Sequence, residues 1–203
     1  MALAIATGSV FACEGDEIFS DDFADPVVSA DLWPTADYIT IGKGYLEIKN
    51  KPRYSAYAPI PSGSTEFDVC ADVTYPEAKN PDGGTTGGFI FWFKDWDNYY
   101  SVTTTPVGGL GVFRYAKGKS TAVSAPFKIY NQLKKGAGSV NTIRATLKGT
   151  TGTVYANGQK VTAFRAVAAD EKAAGTGIAL YGSSEQDQEN GWRFGNVKLT
   201  EPK

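Results

Sequence analysis

The chain has 203 residues, a formal net charge of −2 and no histidine. That charge supplies no basic field for phosphates, so nucleic acid is not the expected partner. Without histidine, neither a Ser-His-Asp nor a Cys-His site, nor a histidine-ligated zinc, can be assembled, which leaves carboxylates, Lys, Tyr and oxygen-bound metals as chemical tools. A composition of 23 Gly, 11 Tyr, 11 Phe and 4 Trp suits many short strands joined by tight turns.

Residues 1–12 run from an apolar stretch, Ala2 to Ala6, through small residues to Ala12. They read as the remnant of a secretory signal, although no basic residue precedes the apolar run. The protein is therefore expected to be exported, to the periplasm or outside, with residues 13–203 forming one domain and acting as a monomer. No segment reaches the roughly 18 apolar residues that a membrane-spanning helix needs. Cys13 and Cys70 are the only cysteines. In an exported protein they are expected to form a disulfide, whose long loop would restrict the unfolded chain by about 4 kcal/mol. A lipid anchor on Cys13 and two unrelated thiols are the competing readings, and Val10 and Phe11 fit a lipidation signal poorly.

Strand-sized runs follow, separated by Gly, Pro, Asn and Asp. Ile18 to Phe23 is the first, with a looser segment from Asp25-Pro26 to Trp33-Pro34. Tyr38 to Ile41 and Tyr45 to Ile48 flank Gly42-Lys43-Gly44 as a hairpin, and Ser55 to Ile60 lies between prolines. In Glu66 to Tyr75, Phe67, Val69, Ala71 and Val73 alternate with Glu66, Asp68, Cys70 and Asp72, the pattern of a strand with one buried face. Pro76 to Gly87 reads as a loop, and Gly88 to Phe93 as a central strand apolar on both faces. Asp95 to Asn98 turns the chain into Tyr99 to Thr105, and Gly108-Gly109 into Leu110 to Tyr115. Asn141 to Lys148 and Thr153 to Ala156 form a further pair. Asn157-Gly158 is a strong two-residue hairpin signal leading into Gln159 to Phe164. Ala166 to Ala174 is the expected helical turn, and Gly177 to Tyr181 with Trp192 to Leu199 closes the chain. The expectation is an all-β, two-sheet antiparallel jelly-roll sandwich.

The run from Gly87 to Tyr100 resembles a motif in one branch of the concanavalin A-like lectin and glucanase superfamily. That branch holds the keto-disaccharide hydrolase-like domains, akin to family 16 glycosidases. Asn141 to Arg144 with Val154 to Val161, Gly177 to Leu180 with Phe194 to Leu199, and Ser20 to Phe23 are similar to further strands of that family. The resemblance implies jelly-roll topology and a sheet face that holds glycans in many relatives. Gly195 stands where some relatives carry a carboxylate that helps hold a structural calcium, so no cofactor is expected and a calcium site is in doubt.

Two sets of side chains compete as the site. Glu185, Asp187 and Glu189 have the alternate spacing of catalytic carboxylates. Their neighbours Gln186 and Gln188 give the segment no apolar face, so it reads as a solvated loop, and no catalytic residue is assigned. Trp92, Asp95, Trp96, Asn98, Tyr99 and Arg114 instead offer rings for stacking on sugar C–H faces and polar groups for orientation. The Asn80 to Gly84 loop, with Asp82, is too thin in oxygens to be read as more than a turn. The expected function is non-catalytic recognition of an oligo- or polysaccharide. A glycan-processing enzyme with paired carboxylates and an envelope module for protein contacts are the alternatives.

Overall fold

The computed structural model describes residues 13–76, 84–124, 126–167, 177–184 and 189–203. The signal-like segment, the loop with Asp82, most of the expected helical turn after Ala166 and the carboxylates Glu185 and Asp187 lie outside these residues.

In chain order the strands are β1 (Glu17–Asp21), β2 (Ile39–Gly42), β3 (Tyr45–Asn50), β4 (Ser55–Pro59), β5 (Phe67–Thr74), β6 (Thr85–Asp95), β7 (Asn98–Thr104) and β8 (Gly109–Ala116). They continue with β9 (Lys119–Ala122), β10 (Lys128–Ile129), β11 (Val140–Lys148), β12 (Thr151–Ala156), β13 (Gln159–Arg165), β14 (Ile178–Ser184) and β15 (Asn190–Thr200). One sheet has the order β13-β12-β11-β5-β15-β3-β2, with β1 also on β15; the other runs β10-β8-β7-β6-β14-β4, with β9 on β8. All pairings are antiparallel, giving the expected two-sheet sandwich.

Alternation explains the core. Phe67, Val69, Ala71 and Val73 of β5 face Phe89, Phe91, Val102, Val112 and Leu180 of the other sheet in one buried cluster. Burying such side chains is worth about 1.5–3 kcal/mol each relative to leaving them in water. Gly87 and Gly88 are required at the start of β6. A Cβ on Gly87 would collide with the Trp192 ring, and one on Gly88 would sit 2.2 Å from the Val102 carbonyl oxygen. Asn157 and Gly158 both take positive φ, 48° and 80°, as the two-residue hairpin demands.

β9 and β10 fall where no strand was expected, and β6 begins at Thr85, inside the expected Pro76 to Gly87 loop. The segment after Asp25 is a short helix, α1 (Pro26–Leu32), rather than loose chain. Asp25 caps it by accepting from the Val27 amide, and Pro26 needs no amide partner in the first turn. Asp21 then ties the helix to β1. It accepts from Phe23 N, Ser29 Oγ and the Trp33 indole at 2.8–2.9 Å.

Cys13 and Cys70 form the expected disulfide, with Cα atoms 5.9 Å apart. The bond leaves the Cys13 sulfur no valence for a lipid thioether. Among the described residues no helix is long and apolar enough to cross a membrane.

Candidate functional site

The outward face of the seven-stranded sheet carries a second aromatic cluster, separate from the core. Ile90, Tyr99, Ala179 and Tyr181 are buried there beneath Tyr57, Phe93 and Tyr115. Period two places these residues: Tyr99, Ser101 and Thr103 share one side of β7, and Phe113 and Tyr115 lie across from Ser101 and Tyr99 on β8. On the other flank Tyr181 pairs with Tyr57 and Gly88, and Ser183 with Thr86 and Ser55. Gly88 presents no side chain in the middle of this surface.

Tyr99 and Tyr115 stack with ring centroids 4.2 Å apart and planes 7° from parallel. Trp96, 43% exposed, sits at the end of the cluster. It meets Tyr57, Phe93 and Tyr99 edge-on at 5.2–5.9 Å. Beside these rings is a depression of about 310 Å³ lined by the hydroxyl residues Thr86, Ser101, Thr103, Ser120 and Ser183 and the rings Phe113, Tyr115, Phe127 and Tyr181. Thr86 Oγ1 and Ser183 Oγ lie 2.8 Å apart, and Ser55 Oγ and Tyr181 Oη 3.1 Å apart. Burial pushes the Tyr99 phenol far above the ordinary tyrosine range, helped by the neighbouring Tyr181 and Tyr115 phenols. Burial also raises Tyr181, against the lowering effect of its hydrogen bonds to Ser55 and Ser183. These phenols therefore remain neutral donors and acceptors, and the described lining is hydroxyls and rings without a carboxylate.

The expected site residues divide in three. Trp96 and Tyr99 come together in the outer-face cluster. Asp95 and Asn98 are at the same end of the sheet but hold the turn: Asp95 Oδ1 accepts from Asp97 N and Asn98 Nδ2, and Asn98 Oδ1 accepts from Lys117 N. Trp92 and Arg114 belong to the other side. A bulge between Phe91 and Asp95, with Trp92 at φ 50°, breaks the alternation and turns the Trp92 ring into the core. Trp92 is 2% exposed, packs on Phe91 and Tyr100, and donates its indole N–H to the Thr65 carbonyl. Arg114 pairs with the core residue Tyr100, so alternation points it inward, away from Tyr115.

Tyr57, Tyr115, Tyr181 and the hydroxyl residues were not anticipated. Their signal was present as alternation in Tyr99-x-Ser101-x-Thr103 and Tyr181-x-Ser183, but only the pairing of β14 beside β6 brings the two rows together. Of the carboxylate triplet, Glu189 alone is described, exposed just before β15. Gly195 leaves room for the Gly44 carbonyl oxygen, which a Cβ would approach to 2.9 Å. Among the described residues no three acidic or cysteine side chains gather as a metal site.

A two-sheet antiparallel sandwich is an architecture that carbohydrate-binding modules and lectin domains share. Among solved structures, the chain is similar to the carbohydrate-binding module CBM66 from Bacillus subtilis, with a TM-score of 0.61 and 15% identity over 83% of this chain and 95% of that one. It is similar also to the carbohydrate recognition domain of Emp46p (TM-score 0.65, 8% identity, 94% of this chain and 99% of that). Against the GH43 protein BlXynB from Bacillus licheniformis the TM-score is 0.68 at 14% identity, and the match covers 93% of this chain but 40% of that one. At these identities the likeness is one of fold. No protein-family model matches the sequence, and no curated protein does.

Proposed function

We propose that the protein is an exported carbohydrate-recognising module that binds a glycan on the outer face of the seven-stranded sheet without cleaving it. The observation that carries this reading is a hydroxyl-lined depression walled by Tyr115 and Tyr181, with Tyr99 stacked on Tyr115 and the half-exposed Trp96 in ring contact with Tyr99 and Tyr181. Sugars offer flat C–H faces to rings and hydroxyls to hydroxyls, and a neutral lining suits a neutral ligand. Hydrolysis would call for two carboxylates about 5–9.5 Å apart across the sugar, whereas the described lining supplies none. The similar folds named for carbohydrate binding and recognition add support. The Cys13–Cys70 bond favours an oxidising compartment.

A glycan array followed by calorimetry tests the proposal. Trp96→Ala is expected to weaken binding by about tenfold, roughly 1.4 kcal/mol, with EDTA without effect and no reducing ends released. Unchanged affinity in Trp96→Ala, or release of reducing ends, contradicts it.

A further inference from the structure

A second recess opens along the edge of the sandwich, where β3 of one sheet lies near β4 of the other. It has two parts, of about 460 and 420 Å³, which share Tyr38, Lys49, Asn50 and Lys51. One part continues to Asp37, Glu47, Glu189 and Asn190; the other continues past Tyr54 and Tyr57 to Trp96. Trp96 therefore borders both this cleft and the aromatic face, because its ring also contacts Tyr99 and Tyr181.

Three features give the cleft the character of a binding site. First, its rings are held out by fixed backbone. Tyr54 is 66% exposed, yet its amide donates to the Lys51 carbonyl and its own carbonyl accepts from Ser184 N. Tyr38 accepts from Lys49 N in the same manner, and burial beside Tyr57 raises its phenol. Second, a cross-strand amide pair, Asn50 and Asn190, is almost wholly buried at the cleft. Asn50 Nδ2 donates to Asn190 Oδ1 over a long 3.3 Å, while Asn50 Oδ1 has no hydrogen-bond partner among the described residues. An unsatisfied buried acceptor is costly, so a donor supplied from outside would be favoured here. Third, the charges nearly balance. Asp37, Glu47 and Glu189 face Lys49 and Lys51, and Glu47 is already paired with Arg193 at 2.8 Å. Such a rim suits neither a polyanion nor a polycation.

We infer that this edge cleft is a second glycan subsite, continuous with the first across the Trp96–Tyr57 ridge, so that the ligand is an extended neutral oligosaccharide. The inference rests on the carbohydrate reading above and specifies its ligand. Rings at Tyr38, Tyr54 and Trp96 stack against successive sugars, and the Asn50–Asn190 pair meets a hydroxyl or amide donor at the far end.

The test is calorimetry with neutral cello-, xylo-, malto-, fructo- and chito-oligosaccharides of graded length, and with oligogalacturonates as the anionic arm. Wild type, Tyr54→Ala and Tyr115→Ala are compared, circular dichroism confirming that each is folded. For the series that binds, affinity is expected to rise at least tenfold from the shortest to the longest member. Tyr54→Ala is expected to remove that gain and leave the shortest member unaffected, whereas Tyr115→Ala weakens every length. If Tyr54→Ala leaves the longest member's affinity unchanged while Tyr115→Ala lowers it, the cleft is idle and the face reading survives alone. If Tyr54→Ala weakens binding and Tyr115→Ala does not, the cleft stands as a glycan site and the face reading fails. Tighter binding of oligogalacturonates than of any neutral series, or no binding by any, overturns the inference.

Discussion

The two outward faces of the sandwich are built from the same strand periodicity and have opposite chemistry. On the eight-stranded sheet several outward side chains are charged, and they pair with one another. Arg144 makes a two-pronged bond to Asp68 at 2.7 and 2.8 Å and lies over the Tyr155 ring. Arg193 pairs with Glu47 over Tyr45, and Lys198 with Glu17. Asp72 accepts from Thr142 and Asn196, and the disulfide lies beside this network. On the seven-stranded sheet the corresponding positions hold rings and hydroxyls, with Tyr57, Phe93 and Tyr115 packed over Tyr99 and Tyr181. A face whose charges are already paired has little left to offer a ligand. A face of neutral hydroxyls, each able to donate and accept, keeps capacity for one. One sheet's surface is thus closed by its own ion pairs, whereas the other keeps the donors, acceptors and rings that the proposed recognition would use.

That division is open to attack from each side. Replacing both Cys13 and Cys70 by Ala removes the constraint on a loop with a sequence separation of 57. It is expected to lower unfolding free energy by about 4 kcal/mol, measured by urea denaturation, with glycan affinity unchanged while the fold persists. Arg144→Met strands Asp68, only 1% exposed, without its cation. The expected loss is about 3 kcal/mol, again without effect on binding; a large fall in affinity in either variant would break the comparison. Ionisation supplies a gentler probe. The Tyr99 and Tyr181 phenols are raised in the folded state. Their contribution to stability is thus fully present below the unfolded tyrosine value of about 10 and is lost as pH rises toward the folded values. Glycan affinity is expected to be flat from about pH 6 to 9, and tyrosinate absorbance should show these phenols ionising only as the protein unfolds in alkali.

Much of the fold was legible in the sequence because alternation survives in β5, β7, β8 and β11, and because Asn157-Gly158 dictates its own turn. The helix α1 was hidden in a short segment whose Asp25-Pro26 start reads equally as a turn. β9 and β10 were hidden because Lys119 to Ala122 and Lys128-Ile129 are too short to show a period. The candidate site was legible only in part. Trp96 and Tyr99 stand out in the turn and the strand after it. The bulge at Trp92 reverses that residue's direction, and no local pattern announces a positive φ on tryptophan. Arg114 could have been assigned inward by counting from Tyr115. The partnership of Tyr99 with Tyr181, 82 positions away, depends on sheet order, which periodicity does not specify.

Recognition by the face of the seven-stranded sheet, as proposed, has a direct structural readout. Amide and indole chemical-shift mapping during titration with a binding oligosaccharide tests it most directly. Perturbations are expected at Thr86, Ser101, Thr103, Tyr115 and Ser183 and at the Trp96 indole, with Thr142, Arg144 and Tyr155 silent. Shifts concentrated on Thr142, Arg144 and Tyr155 would contradict it.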